Sequence, residues 1–313
     1  MGNMSKDPRK IFAKTMLDIG EKNPRILAVS CDSASGGGMG DFIKAFPERY
    51  IEAGISEQNA IGICAGAAKQ GFIPVIVAIT PFITMRCYEQ IRNDIGYSNM
   101  NVKIIGSGGG LAYSTLGSSH EAIEDICVMR SIPNMTILVP GDAYEVDMAL
   151  REAVEHKGPV YIRMPRHPLD DIVDSSKRCF KIGDAEMIES GDDITIFASG
   201  TMVKEAQQAS KILRSRGINA AVIDVHTIKP IDIKMVKSLY EKSKMFVTVE
   251  EHSVIGGLGS AIAEIIAPVK KATPLHIMGV SDGATNTGPY RELLESYSLT
   301  GEKLAVRIYE LYV

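Results

Sequence analysis

The chain lacks any surplus of basic charge. Its 34 Lys and Arg against 38 Asp and Glu leave a formal net charge of -4, and the basic residues are scattered rather than gathered on one face. That argues against a nucleic-acid partner, because a phosphate backbone is met first by a clustered positive surface. No CxxC pair occurs among the five cysteines, at positions 31, 64, 87, 127 and 179. An odd number of thiols in mostly apolar contexts suits reduced cysteine and argues against a disulfide framework or a structural zinc site. No apolar run approaches a membrane span. The opening MGNMSKDPRK has no apolar signal core, and Lys6 stands where a myristoylation pattern wants Ser or Thr. These absences lead us to expect a cytoplasmic protein with no membrane partner.

With 313 residues and 45% hydrophobic composition, the chain suits about two domains, each able to bury a core. An amphipathic helix is expected over 9–21, a strand over 26–30, and then CDSASGGGMGDF, either a mobile connector or a backbone cradle for a ligand. It is not a GxGxxG phrase, since Asp41 takes the third glycine's place. PVIVAI at 74–79 reads as a strand covered on both faces, followed by a helix from Phe82 to Tyr97. VKIIGS at 102–107 is the next strand, and its glycine-rich loop is expected to hand over to a helix near His120. A strand at 136–140 and a helix to Glu155 follow.

A polar stretch broken by Pro168 marks a linker, set at 171–179, between domains at 1–170 and 180–313. Strands and helices then alternate again, with helices reaching Arg216 and Ser243. Such alternation predicts an α/β protein of two domains, each with a mostly parallel sheet flanked by helices. GGLGSA in the second half fails as a dinucleotide fingerprint and reads as helix packing.

The most informative stretch is GISEQNAIGICAGAAKQG, from Gly54 to Gly71. Ser56 suits an N-cap, Glu57 falls in the first turn, and the apolar run after it predicts a buried helix. Gly62 and Gly66, one turn apart, leave a smooth strip for another backbone or a flat ligand. On the residues alone, Glu57 is either a dipole-stabilising carboxylate or a functional acid. Phe82 is either core packing or a stacking platform, and Arg86 faces a cleft or forms a surface pair. His120 is a cap, a surface residue or a proton donor. Arg166 is a surface charge or an anion fork.

IEAGISEQN followed by PVIVAI closely resembles the pyrimidine-domain motif of the transketolase family, and the similarity continues from about Arg9 to the chain's end. TPFITMRCYEQIR, the GxxHxxxED spacing around His120, RSIPNMTILVPGDAYEV and GPVYIRMPRHP carry it further. The resemblance implies a pyrimidine-binding domain followed by a transketolase C-terminal domain, with thiamine diphosphate as cofactor. Glu57 would match the carboxylate paired with the cofactor's aminopyrimidine, Phe82 the ring stacked on it, and Arg86 a cofactor-side arginine. His120 would meet the substrate's reacting oxygens, while Arg9 and Arg166 would grip a substrate phosphate. His226 and His252 resemble positions of slight catalytic role and are treated as structural.

There is one departure: where relatives carry an acid in a GxDG phrase, this chain reads STLG, with Leu116 at the acid's place. An apolar side chain cannot accept a substrate hydroxyl's hydrogen bond, so Leu116 is a specificity candidate. The family's GDG phrase, which holds the diphosphate and its metal, is missing. The resemblance therefore implies half an active site. No metal ligand is expected here. Mg2+ or Ca2+ would lie on a separate N-terminal diphosphate-binding subunit, in a heterotetramer that includes self-association of this chain. Transfer of a two-carbon ketol unit between small sugars is the expected activity. The alternatives are the small (beta) subunit of a 2-oxoacid dehydrogenase and a non-catalytic scaffold.

Overall fold

The computed structural model describes residues 5–240, 242–283 and 285–313; the first four residues of the expected first domain and two positions of the second lie outside them. Twelve strands run in chain order: β1 (Ile26–Ser30), β2 (Tyr50–Glu52), β3 (Ile73–Ile79), β4 (Lys103–Ser107), β5 (Thr136–Leu138), β6 (Val160–Met164), β7 (Glu186–Glu189), β8 (Ile194–Ala198), β9 (Ala220–Asp224), β10 (Thr227–Lys229), β11 (Met245–Ser253) and β12 (Leu275–Val280). They form a seven-stranded sheet of order β10-β5-β6-β4-β3-β1-β2 and a five-stranded sheet of order β12-β11-β8-β9-β7. Only the outer pairs, β10 with β5 and β7 with β9, are antiparallel. The protein is thus α/β, with two mostly parallel sheets flanked by helices.

The sheets are buried because their strands are apolar on both sides, and the two-residue period of a strand decides which layer each side chain joins. Ile26, Ala28, Val75 and Val77 face one layer with Phe12 and Met16 of the helix Pro8–Lys22 and Leu150 of the helix Ala143–Glu155. Leu27, Val29, Ile76 and Ala78 face the other, with Ile61 and Cys64 of the helix Glu57–Lys69. That second layer continues into the five-stranded sheet through Phe197, Ile223, Phe246 and Leu258, so one apolar cluster joins both halves. The far side of the smaller sheet is covered by Ala206, Leu213, Leu304 and Ile308 from two further helices.

Several local expectations change. The helix expected from Phe82 to Tyr97 is a short helix Thr80–Thr84, a turn, Tyr88–Gln90 and a wider π-helical stretch Ile91–Tyr97. Pro81 opens its first turn, and the buried Thr84 hydroxyl donates to the Thr80 carbonyl at 2.6 Å, a bond of the kind that bends helices. No helix begins at His120; a single 3-10 turn, Gly117–Ser119, precedes it and the helix starts at Asp125. Ala122 is instead tied into a two-way backbone bridge with Gly110. The helix expected to reach Ser243 ends at Ser238, and β5 stops at Leu138.

β10 belongs to the expected second domain yet completes the first sheet. Its approach is held by Val139 N donating to His226 O at 2.8 Å and by Lys229 Nζ donating to the carbonyls of Arg130 and Ile132 at 2.8 and 2.5 Å. Among the described residues no helix is long and apolar enough to cross a membrane.

Arg178, in the stretch joining the halves, has a side chain only 1% exposed. It donates to Asp142 at 2.9 Å and to Glu145 on one side, and to Glu186 at 2.7 Å and Asp224 at 2.9 Å on the other. Burial opposes its charge, but the carboxylates of Glu145, Asp224 and Asp142 outweigh it and hold the guanidinium above its ordinary pKa. One cation cannot balance four carboxylates. Burial, then the adjacent Glu145 carboxylate, push the Asp224 carboxyl well above the usual range, so that it keeps a proton and shares it with Glu145. Arg178→Ala leaves these buried acids uncompensated, and we expect it to cost about 3 to 5 kcal/mol in denaturant unfolding, the usual penalty for breaking a buried pair. An unshifted unfolding midpoint would show that the acids rearrange without it.

Candidate active site

In an open parallel sheet, ligands sit beyond the carboxyl ends of the strands, where the strand order reverses. Here the order reverses between β1 and β3, because β2 lies outside β1 and the chain then returns to its other side. A cavity of about 330 Å³ opens at that point, lined by the loop after β1 from Asp32 to Gly37, by the ends of β3 and β4 at Ile79 and Ser107, and by Arg9, Tyr113 and Arg166.

The helix Glu57–Lys69 begins beside this cleft. Ser56 holds the N-cap position but does not cap: its hydroxyl turns back to the Ala53 carbonyl at 2.7 Å. The helix is also less buried than its composition predicts. Ala60, Ile61 and Cys64 are covered, whereas Gln58, Asn59, Gly62 and Gly66 are exposed, and a Cβ at either glycine would meet nothing within 4 Å. Ile55, just before the helix, is 77% exposed.

Glu57 itself is buried. Its Oε2 accepts from Arg86 Nη1 at 2.9 Å, and among the described residues Oε1 accepts no hydrogen bond. Beneath it lie three buried thiols. Burial, with Glu57 the next cause, pushes Cys31 up to about 11 and Cys87 up to about 12, and burial likewise raises Cys64. These thiols stay protonated and unreactive.

From Glu57 the contacts run on without a break. The Arg86 guanidinium lies 4.3 Å from the centre of the Phe82 ring, and Phe82 meets the His120 ring edge-on at 5.2 Å. His120 stands 5.8 Å from the Tyr113 ring, and Arg166 covers Tyr113 at 4.2 Å while donating to its hydroxyl at 3.0 Å. Tyr113 and Arg166 then reach the cavity, where Arg9 joins them. Arg9 is held by Asp7, the cap of the first helix, through bonds of 3.2 and 3.0 Å. Arg9 and Arg166 therefore line the cavity, and Glu57, Arg86, Phe82 and His120 form a file of contacts that reaches it through Tyr113. Leu116 does neither: it is 54% exposed, on the outer turn of the same loop, and does not line the cavity. His226 stacks on Phe180 at 4.1 Å and His252 is fully buried, with its pKa pushed down to about 4 by burial.

Sequence reasoning missed three contributors. Tyr113 joins His120 to Arg166, and its only signal was an aromatic residue inside a glycine-rich loop. Arg163 crosses the apolar strand β6 fully buried and donates to Asp125 at 2.8 Å beside the Tyr161 hydroxyl, which donates to the same oxygen at 2.5 Å. A charge within VYIRM was the available clue. Glu52 ties the β1 loop to the helix start. It accepts from Asp32 N at 2.7 Å, Gly54 N at 2.8 Å, Ser30 Oγ at 2.7 Å and the Tyr50 hydroxyl. Asp32 and Gly54 both have positive φ, at 55° and 69°, so this carboxylate holds two left-handed backbone turns, one at a glycine that adopts it freely and one at an aspartate that does not.

The described group of three acids close enough to hold a cation is Glu145, Glu186 and Asp224, and Arg178 already fills it.

The transketolase pyrimidine binding domain family model matches residues 5–170, and the transketolase C-terminal domain model matches residues 183–304. A Methanocaldococcus jannaschii protein described as a transketolase C-terminal section is 40% identical over 312 residues, covering 99% of this chain and 98% of that one. One of the subunits of an apulose-4-phosphate transketolase from Phocaeicola vulgatus is 36% identical, over 94% of each chain. A solved split-gene transketolase, described as an inactive beta4 tetramer, superimposes with a TM-score of 0.90 at 37% identity, over 97% of this chain and 98% of that one.

The Glu52 hydrogen bonds have a signature in acid. Although partial burial opposes the charge, the donors from Ser30, Tyr50, Asp32 and Gly54 hold the carboxyl down at about 2. Its folded pKa lies below its unfolded one, so its stabilisation is complete above the ordinary carboxylate value and is lost as pH falls toward about 2. We expect Glu52→Gln to flatten that part of the profile of unfolding temperature against pH. Superimposable wild-type and mutant profiles would mean that the four donors contribute nothing.

Proposed function

The chain belongs to the transketolase family, and from that premise we propose that it is the C-terminal half of a two-chain, thiamine-diphosphate-dependent transketolase that moves a two-carbon ketol unit from a ketose, as its phosphate, to an aldose acceptor. The observation that carries this reading is the unbroken file of side chains from the carboxylate of Glu57 to a cavity furnished with two arginines. The names of the relatives favour it over a 2-oxoacid dehydrogenase subunit or a non-catalytic scaffold.

The residues suit the cofactor's pyrimidine. Arg86 already places a flat, N–H-bearing group against both Glu57 and the Phe82 ring, and an aminopyrimidine presents the same combination of planar face and edge donors. Arg86 is 45% exposed and is the group that yields. When bound, thiamine diphosphate supplies the nucleophilic carbon that takes up and hands on the ketol unit. Glu57, largely buried, would then hold the proton at the pyrimidine ring nitrogen. Phe82 fixes the ring plane, and His120, beside Phe82, gives and takes a proton at the substrate oxygen. Arg9 and Arg166 bind the substrate phosphate, with Tyr113 orienting Arg166. Leu116, four residues before His120 on the same loop but outside the cavity lined by this chain, would meet a substrate hydroxyl only at the exposed outer turn.

The diphosphate and its Mg2+ or Ca2+ belong to the other subunit in this reading, since the acidic cluster on this chain serves Arg178. The exposed helix face of Gln58, Asn59, Gly62 and Gly66 suits close approach by another chain, in a cytoplasmic heterotetramer with two copies of each subunit. A relative of matching extent, described as a split-gene transketolase and an inactive beta4 tetramer, supports both self-association and the need for a partner.

The split site predicts weak cofactor binding by the isolated chain. Calorimetric titration should show little heat without the partner, and tight, metal-dependent binding to the chain alone would sink the proposal. In the assembled complex, Glu57→Gln keeps the shape but removes the acid, and it should slow hydrogen exchange at the cofactor's reactive carbon by orders of magnitude. Wild-type exchange in that variant would reduce Glu57 to a structural residue.

Leu116→Asp should restore preference for ordinary hydroxylated sugar phosphates over their deoxy analogues, because an unpaired hydroxyl costs about 1 to 3 kcal/mol. The ratio of kcat/KM for the two substrates measures it, and an unchanged ratio would place Leu116 away from the substrate.

A further inference from the structure

The loop that leaves β4 carries Tyr113, Leu116 and His120, yet it has little internal structure to hold its shape. Within it Leu116 N bonds Tyr113 O at 2.7 Å and His120 N bonds Gly117 O at 2.9 Å. Its two stems meet in one bridge, Gly110 N to Ala122 O and Ala122 N to Gly110 O, both 2.9 Å. The stems are fixed from both halves of the chain: in the first, Gly108 N donates to Met164 O at 2.9 Å and His167 Nε2 meets Ala112 O at 3.1 Å, and in the second, Glu251 reaches them.

Glu251, near the end of β11, is 3% exposed. Its Oε1 accepts from Leu111 N on the first stem at 2.7 Å, and its Oε2 accepts from the Thr201 and Tyr290 hydroxyls, each at 2.7 Å. Its backbone carbonyl accepts from Arg163 Nη2 at 2.8 Å, and that nitrogen also donates to Ala122 O on the second stem at 3.0 Å. Glu251 therefore holds the first stem directly with its carboxylate and meets the second through its backbone carbonyl and Arg163. The fit leaves no slack: Gly110 has φ +67°, and a Cβ there would collide with the Glu251 carboxylate. The loop's outer turn is held from the same half, with Gly288 N donating to Ser114 O at 3.1 Å and the Thr287 methyl packed against Gly117.

We propose that Glu251 is a positioning residue of the site: its buried carboxylate clasps the first stem of the 108–122 loop at Leu111 and thereby sets where Tyr113 and His120 stand against Arg166 and Phe82. The second half of the chain, which contributes no lining to the cavity, acts on the substrate through this clasp. The catalytic consequence rests on the transketolase reading; the structural claim about the loop does not.

The test uses the full chain with Glu251→Ala, Glu251→Gln and Tyr290→Phe. Amide hydrogen exchange read by mass spectrometry should rise about tenfold or more across 108–122 in Glu251→Ala, with the helix Glu57–Lys69 unchanged. Glu251→Gln retains an acceptor for Leu111 N and should fall between, as should Tyr290→Phe, which removes one donor without opening a cavity. In the complex assembled with the diphosphate-binding subunit, Glu251→Ala should raise KM for a phosphorylated ketose and lower kcat, while proton exchange at the cofactor's reactive carbon stays at the wild-type rate. Unchanged protection of 108–122, or protection lost equally from the Glu57 helix, would overturn the proposal. A wild-type complex without transfer activity would instead strike the functional reading, and the localised exchange would still decide the role of Glu251.

Discussion

The placement of one half of this chain on the other depends on the buried guanidinium of Arg178. It is pinned between Asp142 and Glu145, at the start of a helix packed on the larger sheet, and Glu186 and Asp224, on strands of the smaller one. Apolar packing between the halves is continuous but has no preferred register of its own, whereas four directional bonds to one planar cation do. The bond from Glu251 to Leu111 in the 108–122 loop spans 2.7 Å and tolerates little sliding. A site whose loop is clasped across the two halves needs that register.

Within the larger sheet, the site follows from topology and then from charge. The strand order reverses where β1 and β3 meet, which opens the cleft, and the loops leaving β1, β3 and β4 bring polar side chains to its rim. Two arginines there are held differently. Arg9 is tied down by the cap residue of its own helix, while Arg166 rests on an aromatic ring and a phenol hydroxyl with no carboxylate partner among the described residues. Arg166 thus keeps more of its charge for an incoming anion.

Much of this was legible from the sequence, for reasons specific to each element. Glu57, Phe82 and Arg86 lie on consecutive segments whose helix and strand were legible locally, but reading them as one group came from the resemblance of GISEQN and TPFITMRCYEQIR to the family's phrases. His120 was singled out because its spacing to Glu124 and Asp125 resembles the family's phrase, although the helix expected to start there begins at Asp125, with Ala122 committed to the bridge with Gly110. The N-cap hydrogen bond expected of Ser56, in which its oxygen would accept from a first-turn N–H, is not made, and the hydroxyl turns back to donate to the Ala53 carbonyl. Leu116 shares a loop with His120 but points outward, which loop spacing cannot reveal. Arg163 with Asp125, Arg178 with Asp224, and Glu251 with Leu111 are separated by tens to more than a hundred positions. No periodicity in a single sequence announces pairs of that kind.

The strand β10 bears on how such a chain can be divided. A break at the stretch around Arg178, where composition alone would place a domain boundary, removes the outer strand of the larger sheet and leaves the backbone of β5 uncovered. A naked edge of that sort recruits other chains, so the fragment would be a seed for aggregation rather than a free-standing module. A division of the coding sequence at that stretch would therefore part β10 from the sheet it completes, so the two halves behave as one unit of folding.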